Sequence, residues 1–353
     1  MRYLIVQDWD NTHGNHAGMV HMCRLLCAKY PEKYRMFVKE IPSLPKYLGN
    51  NVFYKGLHLI KIRLNRIHYV KEYRVLCAPM FRALKEGDEV FLLEYHLPMV
   101  SQYALAKQIR EHYSFVRLYG LTHLTPSWFT SSKIPSSMLV GWSSLLDKQL
   151  TLGTSLTNFF ESIGVPKGKI STGLHYVDGG YYKGMVDGVQ SPVTIISMGA
   201  LQRDFRLLSS IVSSCPNVNW IICKGKKDID YLFAGKTNVK LVGYVEEDEL
   251  RRLMSISDIS LNVLDDTIGS NVIATSMAMG LGLIVSDVGS IRDYCDERNA
   301  VFCNNTAEDF INAVNSLACD TNRVLEMRTN SLKRAKELDI SMVDRWFDSL
   351  NNE

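Results

Sequence analysis

The stretch that decides the fold runs from Ser257 to Tyr294: SDISLNVLDDTIGSNVIATSMAMGLGLIVSDVGSIRDY. Ile259–Leu264 is an apolar run of strand length. Asp265–Ser270 is a turn of carboxylates, Gly and hydroxyls. Asn271–Gly280 has the small residues and length of a helix, and Leu283–Ser286 is the next apolar strand. A strand-turn-helix-strand order predicts a parallel sheet, whose helices begin at the carboxyl edge where ligands bind. A Gly269-Ser270-Asn271 helix start offers free backbone N–H groups and the positive end of the helix dipole to an anion. The segment therefore predicts a bound phosphate or nucleotide.

Working outward, the same alternation recurs on both sides. In the first half, strands are expected at Tyr3–Gln7, Val52–Phe53, Glu89–Leu93, Phe115–Leu118, in the run leading to Thr154 and at Ile170–Gly173, with helices at Met19–Tyr30, Pro98–Tyr113 and from Thr154 to Gly164. A Gly-rich polar stretch, Gly179–Ser191, reads as a linker. The second half restarts with strands at Val193–Met198, Val218–Cys223 and Val239–Leu241. Helices are expected at Phe205–Cys215, Glu246–Ser255, Asp309–Leu317, Arg323–Leu338 and Ser341–Leu350. The expected class is α/β, with two Rossmann-like doubly wound domains. Residues 1–180 form the first, 181–192 the linker, 193–338 the second, and 339–353 a C-terminal helix returning to the first.

Composition fits this. The chain has 353 residues, 46% hydrophobic and 22% charged, the profile of a globular protein of two domains. No run of about 18 apolar residues suggests a membrane span. The start, MRYLIVQDWD, enters a strand without the pattern of a secretory signal. Of the eight cysteines, Cys23 and Cys27 are one helical turn apart, but no second pair completes a four-ligand metal site. Reduced, buried thiols are expected. The net charge of +3 conceals an asymmetry: residues 1–190 hold 23 Lys/Arg and 14 Asp/Glu, and residues 191–353 hold 17 and 23. Two halves of opposite sign suggest different partners.

Several motifs, taken together, resemble those of retaining GT-B-fold glycosyltransferases of family 4 type (glycosyl transferases group 1). Gly14-Asn15-His16-Ala17-Gly18 lies where that family has a Gly-rich loop after the first strand. Thr154 to Asp178, with Gly164-Val165-Pro166 and Lys169-Ile170, is similar to its inter-domain segment. Met198-Gly199-Ala200-Leu201-Gln202-Arg203-Asp204-Phe205 resembles its Gly-basic-Asp turn. Val242-Gly243-Tyr244-Val245 followed by Glu249-Leu250 resembles its "G-x-V…E-L", and Met277-Ala278-Met279-Gly280 followed by Val285–Gly289 its "A-M-A-x-G" run. The family's two donor-loop glutamates fall at Thr267 and Thr275. A Thr hydroxyl is shorter, neutral and a weaker acceptor than a carboxylate. Asp265 or Asp266 is the candidate replacement for the first.

The resemblance implies two domains facing a cleft and transfer of a sugar from a nucleotide sugar to a glycan or lipid-linked glycan. It implies retention, no metal and no cofactor, with a UDP-sugar favoured. The developing diphosphate charge calls for fixed cations and N–H donors. Arg203 is the first candidate, since a guanidinium is permanently charged and forks onto phosphate oxygens. His123 and Asp265 or Asp266 complete the catalytic candidates. Gly14, His16, Gly199, Lys224, Tyr244, Val245, Thr267, Gly269, Ser270, Asn271 and Thr275 are the donor-binding candidates. Lys226 beside Lys224, and Glu94 on the acceptor side, are weaker ones. Asp8-Trp9-Asp10 reads as a coincidental match to a metal-binding Asp-x-Asp. Residues 54–74 carry Lys55, Lys61, Arg63, Arg66, Lys71 and Arg74 among apolar residues, a pattern suited to an anionic membrane surface. A cytoplasmic, peripheral location is expected, without nucleic-acid binding. The alternatives are a GT-B-like protein that binds nucleotide sugar or glycan with little or no turnover, and a GT-B nucleotide-sugar epimerase.

Overall fold

The computed structural model describes residues 1–9, 14–41, 68–98, 101–199 and 201–351. The chain divides into two compact units. The first comprises Met1–Leu152, Leu156–Gly173 and Trp346–Glu353. The second comprises Gly153–Ser155 and Leu174–Arg345.

The first unit follows the order β1 (Arg2–Trp9), α1 (Met19–Lys29), β2 (Tyr34–Ile41), α2 (helical over 68–76), α3 (Ala78–Ala83), β3 (Glu89–Leu92) and α4 (Gln102–His112). It continues with β4 (Arg117–Thr122), α5 (Pro126–Ser131), α6 (Ser136–Ser144), β5 (Lys148–Leu152), α7 (Thr154–Ser162) and β6 (Ile170–Gly173). The strands are parallel in the order β2-β1-β3-β4-β5-β6. Seven of the eight β1 residues are buried, as a strand covered on both faces requires. Leu92, Leu105, Ile109 and Leu118 belong to the core on one face. The C-terminal residues join this unit through Arg2. Its Nε donates to Glu89 at 2.5 Å, Nη1 to Asp348 at 2.7 Å and Nη2 to the Phe347 carbonyl at 3.0 Å.

The second unit runs β7 (Thr194–Met198), α8 (Phe205–Ser214), β8 (Asn219–Gly225), β9 (Val239–Gly243), α9 (Glu247–Ser255), β10 (Ile259–Asn262) and α10 (Asn271–Ala278). Then come β11 (Gly282–Ser286), α11 (Ile291–Tyr294), β12 (Ala300–Cys303), α12 (Ala307–Cys319), α13 (Thr321–Ala335) and the start of α14 (Ile340–Ser349), which from Trp346 onward belongs to the first unit. Its sheet is also parallel, in the order β12-β11-β10-β7-β8-β9. The helix starts follow from local chemistry. Asp204 accepts from the N–H groups of Arg206 and Leu207, each at 2.9 Å, to cap α8, and Thr306 and Asp320 cap α12 and α13 in the same way. Glu247, Asp248 and Glu249 fill the first turn of α9, where the dipole favours acids.

Both sheets are of the doubly wound α/β type that the sequence predicts. The opening segment folds as expected, with β10 ending at Asn262 and α10 at Ala278. The expected strand at Val52–Phe53 and residues 54–67 of the basic segment lie outside the described residues. The cysteines are free thiols, six of them buried. No helix among the described residues is long and apolar enough to cross a membrane.

One buried ion pair organises the second unit. Asp258, fully buried just before β10, receives Arg328 Nη1 of α13 at 3.0 Å. Its carboxylate also accepts from the Thr194 N–H at 2.9 Å and from the Gln190 N–H at 3.1 Å. Arg328 Nε donates to the Gly280 carbonyl at 2.9 Å, and Nη1 also to the Gly188 carbonyl. Arg328→Leu strands a buried carboxylate and should cost about 3–5 kcal/mol, a fall in Tm on the order of 10 °C. Adding Asp258→Asn, which keeps an acceptor for Thr194, should recover part of it. Calorimetry of the two variants checks this; a loss below about 1 kcal/mol for the single variant contradicts the role.

Candidate functional site

In an open parallel sheet, ligands bind at the carboxyl edge where the strand order reverses. In the second unit that point lies between β7 and β10, because the chain runs from β7 outward to β8 and β9 and returns to β7's other side with β10. The loops leaving these two strands hold Arg203 and the start of α10.

After β7 the chain turns at Gly199, with φ +88, and Gln202, with φ 51. Arg203 then forms an antiparallel bridge with Leu264 beyond β10. The Asp204 N–H donates to the Val263 carbonyl at 3.4 Å, and the Asp265 N–H to that of Gln202 at 3.2 Å. This pairing aims Arg203 back over the strand ends. Its Nε donates to the Met198 carbonyl at 3.1 Å and its Nη2 to Asn262 Oδ1 at 3.0 Å. Fully buried Asn262 is itself held, since its Nδ2 donates to Ser260 Oγ at 3.0 Å. Ser276 of α10 donates to the same Ser260 oxygen at 2.9 Å. Nη1 of Arg203 is buried and has no hydrogen-bond partner. Burial pulls the guanidinium pKa down to about 10, against a raising pull from Asp265, so the group stays cationic at neutral pH.

The start of α10 meets this cation. A Cβ on Gly199 would lie 3.3 Å from Arg203 Nη2 and 3.4 Å from Val272 Cγ2. Ser270 caps the helix by accepting from the Ile273 N–H at 3.3 Å. The side-chain oxygen of Asn271 is buried and unpartnered. A buried, unsaturated guanidinium beside a helix N-terminus is a place for an anion.

The loop before α10 is tightly fixed. Thr267, 4% exposed, accepts from the Gly269 N–H at 3.1 Å through its hydroxyl, and its carbonyl accepts from the Ser290 N–H at 2.7 Å. Asp266 turns its carboxylate onto the Thr267 N–H at 2.8 Å. Asp265 is exposed. Thr275 donates its hydroxyl to the Asn271 carbonyl at 2.7 Å, one turn back in its own helix.

The other candidates fall into separate groups. Lys224 pairs with Asp230. Lys226 stands 4.9 Å over the ring of Tyr244, which is 58% exposed, and half-buried Val245 follows. In the first unit, Gly14 adopts φ +79, and Asn15 accepts from the Ala17 N–H at 2.7 Å in the turn leading to α1. The ring of half-buried His16 lies 4.5 Å from that of His21, tilted by 57°. His123 directly follows β4 and is half-buried. Glu94 follows β3, and burial lifts its carboxyl pKa to about 7 against a lowering hydrogen bond from Trp9. The Asn262–Ser260–Ser276 relay behind Arg203 was not among the expected residues. Its signal is a strand, ISLN, whose fully buried positions include polar side chains.

Residues 202–320 match the family model described as glycosyl transferases group 1. No curated protein matches the sequence. Among solved structures, the chain is similar to the sucrose-phosphate synthase of Thermosynechococcus elongatus, with 11% identity, 100% of both chains covered and TM-score 0.73. It is similar to Anabaena HepE in complex with UDP, with 14% identity, 100% of both chains covered and TM-score 0.69. HepE in complex with UDP-glucose aligns at 12% identity over 99% of this chain and 100% of the other, with TM-score 0.67. The resemblance read from the motifs holds at this level: the second unit carries the glycosyl transferases group 1 match, and the fold is GT-B.

Gly269 tests the loop geometry. Its φ is +89, and a Cβ there would lie 2.0 Å from the Tyr294 ring. Gly269→Ala should destabilise the protein by more than about 2 kcal/mol, from strain and overpacking together. Chemical denaturation checks this, and an unchanged midpoint would show that the loop is free to move.

Proposed function

We propose that the chain is a glycosyltransferase that moves a sugar from a nucleotide sugar, a UDP-sugar by preference, to a glycan or lipid-linked glycan. The observation that carries the reading is Arg203: a cation held by Met198 and Asn262, with one buried nitrogen unpartnered, at the start of α10. Breaking the bond between the sugar and the diphosphate leaves negative charge on the phosphate oxygens. A guanidinium already desolvated and oriented stabilises that charge without reorganising. The N–H groups of the α10 first turn add to it. The UDP and UDP-glucose bound by HepE support the choice of nucleotide.

Retention of configuration and independence of metals and cofactors remain part of the proposal. Asp265, which raises the Arg203 pKa, or Asp266 is the carboxylate proposed to meet a donor sugar. Same-face attack, with the leaving phosphate taking the acceptor's proton, needs no carboxylate pair. Peripheral attachment to the inner face of a membrane through the basic segment 54–74 belongs to the same reading.

A second reading, binding of nucleotide sugar with little turnover, is favoured by Thr267 and Thr275. Both hydroxyls are engaged inside the second unit. Thermal shift with UDP, UDP-glucose, GDP- and ADP-sugars, followed by donor hydrolysis and transfer assays, separates the two. Arg203→Ala should weaken UDP binding by about 10–100-fold, the loss of one or two charge-assisted hydrogen bonds. Arg203→Lys should restore only part of it. Unchanged UDP affinity in the alanine variant would remove Arg203 from the site.

A further inference from the structure

The loop that precedes α10 is held by residues outside the donor-site candidates. Gly153–Ser155 belong to the second unit, although β5 before them and α7 from Leu156 onward belong to the first. They are clasped by α11 and the residue before it. We infer that Ser290, Asp293 and Tyr294 are positioning residues, through which the start of α7 holds the loop Thr267–Ser270 and so sets the anion-binding geometry at the start of α10. That the anion is a nucleoside diphosphate rests on the glycosyltransferase reading; the clasp itself does not.

Two routes join the clasp to the loop. The first is a relay of hydrogen bonds. The Ser155 N–H donates to Ser290 Oγ at 2.9 Å, and the two hydroxyls lie 2.7 Å apart. The Ser290 N–H donates to the Thr267 carbonyl at 2.7 Å, and the Gly269 N–H to Thr267 Oγ1 at 3.1 Å. Ser290 is 1% exposed, and Ser155 supplies the partner that a buried hydroxyl needs.

The second route is steric. The Asp293 carboxylate accepts from the Thr154 N–H at 2.6 Å and from its hydroxyl at 2.9 Å. The first N–H of α7 is thus met by an acid 139 residues away in sequence, a charge the helix dipole favours there. Next along the chain, Tyr294 is fully buried. Its hydroxyl accepts from the His175 N–H at 2.8 Å, and Gly269 lies against its ring. Arg334 of α13 donates to the carbonyls of Asp293 at 2.6 Å and Tyr294 at 2.8 Å. With four residues, α11 is too short to hold a helical turn unaided. Its place is set by Thr154, Ser155, His175 and Arg334 together.

Both routes end at Gly269, the residue before Ser270, which caps α10 by accepting from the Ile273 N–H. A displaced α11 therefore disturbs the cap and the first N–H groups of α10, the groups that meet an anion. Tyr294 and Ser290 are buried, and the Asp293 carboxylate is taken by Thr154, so these residues act through the loop. Holding an anion and closing the clasp are then linked, and the linkage is reciprocal. Arg292, on the same short helix, is exposed and pairs with Asp287 and Glu297 instead. It serves as the control.

The test is hydrogen exchange of the full-length protein, followed amide by amide in the native form, Asp293→Ala, Ser290→Ala and Arg292→Ala. Without ligand, the Gly269 and Ile273 amides should exchange about tenfold faster in Asp293→Ala and Ser290→Ala, and at the native rate in Arg292→Ala. Leu253, buried in α9, should not change. UDP affinity by calorimetry should fall about 5–10-fold in the first two variants and hold in the third. In the native protein, UDP should slow exchange at Thr154 and Ser155, an effect that a merely structural role would not produce. Unchanged exchange at Gly269 and Ile273 would overturn the inference. Equal acceleration at Leu253 would too, since it marks a general loss of stability. So would unchanged UDP affinity in Asp293→Ala, or bound UDP without effect at Thr154 and Ser155. If the native protein binds no UDP, the donor reading fails, and the exchange rates without ligand decide the clasp alone. If Asp293→Ala does not fold, Thr154→Val takes its place. It keeps the backbone bond to Asp293 and removes the hydroxyl bonds, and exchange at Gly269 should then rise about threefold.

Discussion

The buried pair between Asp258 and Arg328 is the interaction on which the second unit turns. A charge taken out of water must find partners for every lone pair and proton, or it costs several kcal/mol. Asp258 meets that demand with two backbone N–H groups and a guanidinium, and Arg328 meets its own with the carbonyls of Gly280 and Gly188. The partners are spread along the chain: the approach to β7, the start of β10, the residue after α10, and α13. Satisfying one ion pair therefore sets where β10 begins and where α10 ends. The two ends of the strand-turn-helix segment are tied down at the amino edge of the sheet, and the loop at the carboxyl edge is left to carry chemistry.

That loop is then fixed by contacts of a different kind. Gly269 and Gly289 stand where any side chain would overlap Tyr294 or Thr267. Thr267 spends its hydroxyl and its carbonyl on the backbone around it. Arg203 is positioned from behind by Asn262, and Asn262 through Ser260 by Ser276. Such a relay holds a cation in place before any ligand arrives, the condition under which a charge is most effective at stabilising a transition state. The first unit shows the counterpart: Gln102 holds Glu94 from behind while the carboxyl remains half-buried.

The fold was legible because parallel sheets buried on both faces leave uninterrupted apolar runs, as at Ile259–Leu261 and Leu283–Val285. Two strands missing from the sequence reading, β2 and β12, are the edges of their sheets. In β2, YRMFVKEI mixes charge with apolar residues because an edge strand is only partly covered, and β12 is four residues long. Arg203 and the Gly-Ser-Asn helix start were legible as residue types in the right order. The relay behind Arg203 was not, since Asn262, Ser260 and Ser276 meet only when strand and helix are packed. Nor was the state of the threonines: no spacing rule tells that Thr275 turns its hydroxyl back onto its own helix.

The threonines carry the last step. At Thr267 the side chain is 4% exposed and caps the Gly269 N–H. A carboxylate at that position would face a desolvation cost of several kcal/mol unless the turn opened. The turn cannot open freely, because Gly269 is wedged against Tyr294 and the Thr267 carbonyl against Gly289. The closed turn and the neutral residue thus require one another. With no acid at 267 or 275, the carboxylate felt by Arg203 among the described residues is the exposed Asp265, and the field at the start of α10 is more positive than a loop glutamate would allow. Under the proposed donor binding, such a field favours holding a diphosphate, while the sugar beyond it meets fewer acceptors. Any selectivity for that sugar must then come from Asp265 and from groups outside the loop.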